Sequence, residues 1–463
     1  MGSDSIQKLD REKLLKNWLY IPCGIVCILA TCFGVNKLLQ LGGVVFPASV
    51  ACLVVLFLGL LVLERVIGEY LTRRFVALLE IPGEWSLRWI SILFTPSFVM
   101  LPLSPPIGGI EVLKIIAVFV IGFIVMMGVT AYMTRGVQLV LGTSKRAMTE
   151  RAEELGPEGN DEMVVVPMIA RSQSSTTIMM TTRRSSTQRS SPSSVLPIYL
   201  SVVGYAMPLH LTLSILAYFA ALSVPLKWRQ YLLHPILVSS LFTVLGIWVL
   251  GLMIKGHDLR TTLREFRTGA TYLKIGDGGV ELPGAGDVFA SLLDAGIVSL
   301  ALPMYHYRRE LKQHFLAIVL PNVAISIGSL FAYPYICFAI GISAQRSLAF
   351  SARSLTLALA NPAVANLGGD PSTVAALAIL SGILGVLIGQ RMLALLKTPD
   401  DDYVTRGVTL GANSSAIATA LLLRTDPRAA ALSSLSMSLF STITVLFTAV
   451  PPIATVVRSL VSL

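Results

Sequence analysis

A stretch near the C-terminus, RGVTLGANSSAIATALLLRTDP, puts small and hydrogen-bonding side chains at the centre of an otherwise apolar segment. Asn413, Ser414, Ser415 and Thr419 put four amide or hydroxyl groups into seven residues, a few positions after Arg406. Such groups favour a binding site for a small polar anion near the middle of a membrane, with a helix dipole supplying part of the charge. Close helix packing through small residues is the alternative interpretation.

A second stretch, RSLTLALANPAVANLGGDPS, combines a cation with hydroxyl and amide groups. Arg353 begins it, Ser354 and Thr356 follow, and Asn361 precedes Pro362. We expect the proline to force the backbone out of a helix, which would expose N–H and carbonyl groups to a ligand, while Arg353 pairs with a carboxylate. The alternative is an interfacial arginine beside a proline kink.

The third stretch, GDVFASLLDAGIVSLALPMYHYRR, places Asp294 in the middle of an apolar run. An ionisable side chain has a high free-energy cost there unless it is hydrated or paired with another charge, so Asp294 is a candidate proton carrier. The alternative is a cap for a half-helix that starts at Ala295.

Composition sets the class of protein that must position these residues. Of 463 residues, 54% are apolar and 13% are charged, and the mean hydropathy is +0.74. This excludes a soluble domain and predicts an all-α polytopic membrane protein with roughly 10–12 membrane segments. The net charge of +10 does not indicate nucleic acid, because the basic residues flank apolar spans, as topology signals do.

The chain divides into three predicted regions. Residues 1–142 form a membrane block with four helices, near 18–39, 44–68, 87–103 and 110–133. Residues 143–195 form a disordered linker rich in Ser, Thr and Arg, and residues 196–463 form a transport block with broken helices and an inverted repeat that pairs DAGIVSLALP with GANSSAIATA. Whether Asp287–Tyr307 and Arg406–Leu423 span or re-enter is left open.

Lysine and arginine concentrate in the N-terminal tail, after the second segment and after the fourth. This bias places the N-terminus and the linker in the cytoplasm. Ser186 and Ser191 follow bases or precede a proline and are candidate phosphorylation sites, against the alternative of a plain solvated tether.

No enzyme motif is present: the sequence lacks a GxSxG elbow, a Walker A loop and an HExxH pair. The five cysteines lie in apolar stretches without metal-ligand spacing, so we predict neither a metal ion nor a cofactor. The expected partners are a small carboxylate, the lipid bilayer and, as an open option, further copies of the chain.

Several longer motifs resemble a known family. ALPMYHYRRELKQH, RSLTLALA, LAILSGILGVLIGQ and DDYVTRGVTLGANSSAIATA are similar to LrgB/CidB membrane proteins, and FPASVACLVVLFLGLLVLE with FTPSFVMLPL is similar to LrgA/CidA proteins. The resemblance implies that Arg353, Ser354, Thr356, Arg406 and the 413–419 loop occupy the family's motif positions. Ser415 departs from it, since a His is usual there, and so does Asp294, where relatives tend to have Gly.

A single chain with both blocks resembles the plant plastidal members. This implies secondary, proton-coupled transport of small hydroxy- or oxo-carboxylates such as glycolate, glycerate or pyruvate. The alternative implied by the bacterial relatives is a holin-like permeability factor or export regulator. In a third reading, the first block is an accessory scaffold for the second.

Overall fold

The computed structural model describes residues 19–41, 46–103, 108–142, 205–223, 235–274, 282–399 and 401–463. Within these ranges the protein consists of helices without a strand. The α-helices in chain order are α1 (Ile21–Leu41), α2 (Ala48–Ile67), α3 (Glu69–Leu93), α4 (Thr95–Val99), α5 (Gly109–Val140), α6 (Met207–Leu222), α7 (Pro235–Lys255), α8 (Leu259–Phe266), α9 (Ala285–Ser299), α10 (Ala301–His306), α11 (Arg308–Gln313), α12 (Phe315–Ala339), α13 (Ala344–Ala349), α14 (Leu357–Leu367), α15 (Pro371–Leu387), α16 (Gly389–Leu395), α17 (Tyr403–Thr425), α18 (Pro427–Ala449) and α19 (Pro451–Ser459). Short 3₁₀ turns cover Leu101–Leu103, Tyr272–Lys274 and Phe350–Ala352.

Among the described residues, six spans are long and apolar enough to cross a membrane, if α9 and α10 are counted as one. The pair α15 and α16, bent by 61°, would form a seventh. The prediction of an all-α multi-pass membrane protein is therefore confirmed. Within the described ranges, uninterrupted spans are fewer than the roughly 10–12 segments expected for the whole chain, because several apolar stretches are divided into short helices. The predicted linker at 143–195, with the candidate phosphorylation sites Ser186 and Ser191, lies outside the described residues.

The predicted third membrane segment, 87–103, differs from the structure. The helix that contains its start, α3, begins 18 residues earlier, at Glu69, and ends at Leu93. Its buried positions, including Thr72, Val76, Ser86 and Ile90, recur at helical spacing, whereas Arg73 and Arg74 are exposed. A helix with one polar face extends further than an apolar run indicates.

Close packing of α17 against α18 forms the centre of the molecule. A Cβ added at Gly407 would lie 2.5 Å from the Ala429 carbonyl oxygen, and one added at Gly411 would lie 2.4 Å from that of Ser433. Glycines four residues apart therefore let the two backbones meet. Close helix packing through small residues, the alternative interpretation of this stretch, therefore applies to one face of α17. The other faces remain available for polar contacts.

Helices before and after the gap at 143–204 are joined by ion pairs and hydrogen bonds. Arg308 binds Glu64 at 2.7 Å, His306 lies 2.6 Å from Glu80, and Arg346 pairs with Glu111. These contacts hold α2, α3 and α5 against the later helices, so residues of both predicted membrane blocks share one packed body.

The break expected at Asn361-Pro362 is wrong in position. Helix α14 continues through Pro362 to Leu367. The interruption comes earlier, where Arg353 and Leu355 make i to i−3 backbone bonds of 3.2 Å and Thr356 is extended at ψ 141°. Packing of α14 against α15 and α18 holds it in place, so the proline removes one backbone bond without ending the helix.

Candidate functional site

A cavity of about 230 Å³ lies where α9, α14, α15 and α17 meet the chain after α8. Its apolar lining includes Leu93, Phe94, Ile297 and Ile379. Its polar lining comprises Ser97, Arg267, Thr271, Asp294, Thr356, Asn361, Ser414 and Ser415. The volume is below the ~300–1,000 Å³ typical of pockets for drug-sized ligands, which favours a much smaller molecule.

Two helix starts meet at this cavity. Helix α14 begins after Thr356, and the second half of α17 begins after Ser415, with both residues in the cavity wall. The Oγ1 of Thr356 and the Oγ of Ser415 are buried without a hydrogen-bond partner among the described residues. The first N–H groups of a helix have no intrahelical acceptor and carry partial positive charge, so both starts favour an anion in the cavity.

The break in α17 has a specific backbone conformation. Ser415 has φ 51° and ψ −143°, a combination that glycine adopts more readily than residues with a Cβ. Thr419 Oγ1 donates to the Ser415 carbonyl at 3.0 Å and lies 2.7 Å from Ser433 Oγ of α18. Thr419 therefore secures the second half-helix rather than contacting the cavity.

Asp294 lies inside α9, five residues before its end, so the alternative of a helix cap at Ala295 is wrong. The Tyr272 hydroxyl donates to its carboxylate at 3.0 Å, and the Ser49 hydroxyl is a second hydrogen-bonding neighbour. Burial, followed by the adjacent carboxylate, raises the pKa of Tyr272 above its usual range, so the phenol stays protonated and remains a donor.

Arg267 adds a cation that sequence reasoning did not single out. It follows α8 directly and lines the cavity. Asp287 holds the next residues in place, because its carboxylate accepts from Thr268 N at 2.9 Å and from Gly269 N at 3.1 Å. Arg267 has no ion-pair partner within the part of the chain that the structure describes, so its charge is available to a ligand.

Arg353 is fully buried, with 0% exposure, outside the cavity lining. One nitrogen, Nη2, donates to Asn413 Oδ1 at 3.4 Å, while Nε and Nη1 have no partner among the described residues. The guanidinium lies over Tyr333, 4.9 Å from its centroid, and no carboxylate of the described residues pairs with it. Asn413 in turn donates to Thr130 Oγ1 of α5 at 3.0 Å. This buried, uncompensated positive charge is unusual in a protein interior.

The remaining predicted residues lie elsewhere. Arg406 sits near the start of α17 and pairs with Asp426 and Gln390, each at 3.2 Å, away from the cavity. Ser354 is buried in the turn before α14. The structure thus brings five predicted residues to one cavity, namely Asp294, Thr356, Asn361, Ser414 and Ser415. Both segments of the predicted inverted repeat line it, and the repeat itself stays a prediction.

Arg267, Thr271 and Tyr272 could not be found from the sequence. They lie in a polar stretch between apolar segments, where nothing distinguishes a cavity residue from a loop residue. Tyr333 and Thr130 lie in long apolar helices, and their contacts with Arg353 and Asn413 depend on packing between distant segments.

Comparison with known proteins identifies the family. Residues 214–454 match the LrgB-like family, a match that covers more than half of the chain. The chain belongs to this family. The predicted resemblance to LrgB/CidB proteins is confirmed, and the cavity of this LrgB-like protein is formed largely by the matched region.

Two named relatives carry different functions in their names. The LrgB-like protein is 23% identical to plastidal glycolate/glycerate translocator 1 of Arabidopsis thaliana over 434 residues, 92% of this chain and 78% of the relative. It is 25% identical to the holin-like protein CidB of Staphylococcus epidermidis over 236 residues, 51% of this chain and 91% of the relative. Neither relative is named as an enzyme. No solved structure matches the chain.

Proposed function

We propose that this LrgB-like protein is a proton-coupled secondary transporter of small monocarboxylates of the glycolate, glycerate or pyruvate type. The observation that carries the proposal is the meeting of two helix starts, with unpartnered Thr356 and Ser415 hydroxyls, at a cavity of about 230 Å³. Transporters commonly direct half-helix N-termini at anionic substrate groups. The name of the Arabidopsis thaliana relative supports the same substrate class.

In this proposal the substrate carboxylate lies between the starts of α14 and the second half of α17. Backbone N–H groups and the hydroxyls of Thr356 and Ser415 would donate to it, and Arg267 would approach it from the chain after α8. Asn361, which is exposed to the cavity, would bind the substrate's own hydroxyl or oxo group. Specificity for hydroxy- and oxo-acids would follow, because a plain fatty acid leaves that amide unpaired.

Asp294 is the proposed proton carrier. Its carboxylate lines the same cavity as the anion site, and two negative charges in one small, poorly solvated space repel each other. Entry of the anion would therefore require Asp294 to be protonated. This links one proton to each carboxylate without any further ion.

Arg353 contributes from behind the cavity wall. It lies three residues before Thr356, and its partner Asn413 immediately precedes Ser414, so its charge acts close to both halves of the anion site. A buried cation without a counter-ion raises the affinity of its surroundings for an anion. In this proposal Arg353 tunes the anion affinity and does not touch the substrate in the state described here.

We further propose that the first block supports the second. Thr130 and Phe123 of α5 contact Asn413 and Arg353, so the 1–142 block completes the surroundings of the transport residues. The predicted regions 1–142, 143–195 and 196–463 are in this proposal a supporting block, a tether and a transport block. The cytoplasmic position of the N-terminus and the tether is part of the same proposal.

The decisive experiment measures uptake of labelled glycolate, glycerate and pyruvate into proteoliposomes that contain the full chain, with and without an inward proton gradient. Saturable uptake that the gradient stimulates supports a carrier. The alternative, favoured by the name of the Staphylococcus epidermidis relative, is a holin-like permeability factor. Non-saturable leakage of acids and neutral solutes alike would support that alternative and overturn the transporter proposal.

A further inference from the structure

A second, larger space lies on the outer surface of the helix bundle. This groove has a volume of about 1,160 Å³ and is formed by α2, α18 and the chain from α10 to the start of α12. Most of its length is apolar, with Val54, Phe57, Leu61, Leu435 and Leu439 in the wall. It contacts residues of both predicted membrane blocks and is separate from the cavity described above.

One end of the groove is strongly basic. Four cations line it, Arg65, Arg308, Arg309 and Lys312, against two acids, Glu64 and Glu69. Arg308 is already neutralised, since its Nε lies 2.7 Å from Glu64 and its Nη2 3.0 Å from Glu69.

The other three cations have no such partner. Arg65, Arg309 and Lys312 are exposed and make no ion pair within the described ranges. Arg73, followed by Arg308, lowers the pKa of Glu69, which therefore stays ionised and keeps Arg308 occupied. An anion at this end would thus meet cations that the protein leaves uncompensated.

The dimensions of the groove match one leaflet of a bilayer. On α2 the lining runs from Arg65 back to Val54, a helical distance of about 16 Å. Half of a typical hydrocarbon core is about 15 Å thick. A charged headgroup at Arg65 would therefore place its acyl chains along the apolar wall to the depth of the bilayer centre.

We propose that this groove binds an anionic phospholipid, with its phosphate at Arg65, Arg309 and Lys312 and its acyl chains against α2 and α18. Basic sites between membrane helices commonly hold anionic headgroups, and the apolar wall gives the acyl chains a complementary surface that a soluble phosphate would not use. Because α2 and α18 belong to different predicted blocks, the lipid would fill the space between them.

The test compares lipid binding by the full-length protein in detergent, counted by native mass spectrometry. The probes are dioleoyl-phosphatidylglycerol, dioleoyl-phosphatidylcholine and water-soluble glycerol phosphate. We expect a preference for the anionic lipid of about tenfold or more, which the Arg309→Gln/Lys312→Gln variant abolishes, because each basic residue near a headgroup contributes on the order of 1 kcal/mol. Arg74→Gln is the matched control, since Arg74 is exposed on α3 and does not line the groove.

A second pair of variants tests the apolar wall. Leu61→Trp fills the groove and should reduce binding of both diacyl lipids, whereas Val62→Trp, on an exposed neighbour outside the groove, should not. Equal binding of phosphatidylglycerol and phosphatidylcholine would overturn the proposal. Binding of glycerol phosphate as tight as that of the lipid would also overturn it, in favour of a soluble phosphate site. If Leu61→Trp does not fold, the charge variant alone decides.

Discussion

Asp287 and Asp294 lie seven residues apart on α9, yet their surroundings differ. Asp287 accepts four hydrogen bonds, from Gly284 N, Thr268 N, Thr268 Oγ1 and Gly269 N, at 2.9 to 3.1 Å. Asp294 instead has two hydroxyl neighbours, Tyr272 at 3.0 Å and Ser49, and it lines the cavity. A carboxylate whose hydrogen bonds are made within the protein holds the fold together, whereas one left partly unsatisfied beside a cavity is available for chemistry.

Arg353 and Arg406 differ in the same way, in whether their hydrogen bonds are made within the protein. Both were predicted from the sequence as partners for a substrate carboxylate. Arg406 pairs with Asp426 and Gln390, and these bonds join α17 to α18 and α16. Arg353 is completely buried and has two nitrogens without a partner among the described residues. The two residues have the same type and charge, and they differ only in their surroundings: the Arg406 guanidinium has partners within the protein, whereas two nitrogens of Arg353 have none among the described residues.

The largest effect is expected at these arginines. Arg353→Met should reduce carboxylate uptake by about a hundredfold or more, because the anion loses a buried cation behind its site. Its Tm should equal or exceed that of the parent protein, since the substitution removes an uncompensated buried charge. Arg406→Met is the matched control. It should lower the free energy of unfolding by about 1–3 kcal/mol, because Asp426 loses its cation, while uptake per folded molecule stays near the parent value. Proteoliposome uptake and thermal unfolding in detergent measure both, and a reversed pattern would show that the assignments are exchanged.

Substitutions at Asp294 and Asp287 test whether the first carboxylate serves proton coupling and the second serves stability. Asp294→Asn should abolish the stimulation of uptake by an inward proton gradient, because the amide cannot carry a proton, while the Tm changes little. Asp287→Ala should instead lower the free energy of unfolding by about 3 kcal/mol or more, since Thr268, Gly269 and Gly284 lose their acceptor. Gradient-driven uptake by Asp294→Asn equal to that of the parent would remove Asp294 from the proton path.

Ser415 allows backbone and side-chain contributions to be separated. Ser415→Gly should raise the free energy of unfolding by about 1 kcal/mol, because glycine relieves the cost of φ 51°. Ser415→Ala keeps that cost and should not stabilise the protein. Both variants remove the hydroxyl, and both should raise the KM for glycolate by about tenfold. An unchanged KM in both would show that the hydroxyl does not contact the substrate.

The smallest effect is expected at Thr130. Thr130→Val removes the acceptor for Asn413 and should cost about 1 kcal/mol of stability, with uptake reduced only a few-fold through the altered position of Arg353. Thr134→Val on the same helix is a control, because among the described residues the Thr134 hydroxyl bonds only to the Thr130 carbonyl of its own helix. Uptake lost equally in both variants would indicate a general defect of α5.

Much of the fold followed from the sequence, because apolar length and turn residues decide where membrane helices form. The bounds of α1 and α2 lie within four residues of the predicted segments 18–39 and 44–68. The predicted break at Pro362 is wrong, because a proline interrupts a helix only where neighbouring helices do not hold that helix in place. The start of α3 was missed because an amphipathic helix continues beyond its apolar run.

The site was predictable in part. Polar residues inside apolar segments led to Asp294, Thr356, Asn361, Ser414 and Ser415, which line one cavity, and their role in binding stays a prediction. The directions of the side chains were not available, because Asn413 and Ser415 are two residues apart yet face α5 and the cavity. Arg267 depends on a turn held by Asp287, 20 residues later, a relation that no local pattern records.

The contacts between early and late helices have a consequence for how the protein assembles. Glu64, Glu80 and Glu111 bind Arg308, His306 and Arg346 across the interval between the two blocks. Two separate polypeptides with these surfaces would have to meet by diffusion in the bilayer, so the amount of complete protein would depend on the expression level of each. Joining them in one chain replaces that encounter by a high effective concentration. A chain cut between residues 142 and 205 should therefore remain associated during purification and keep its activity.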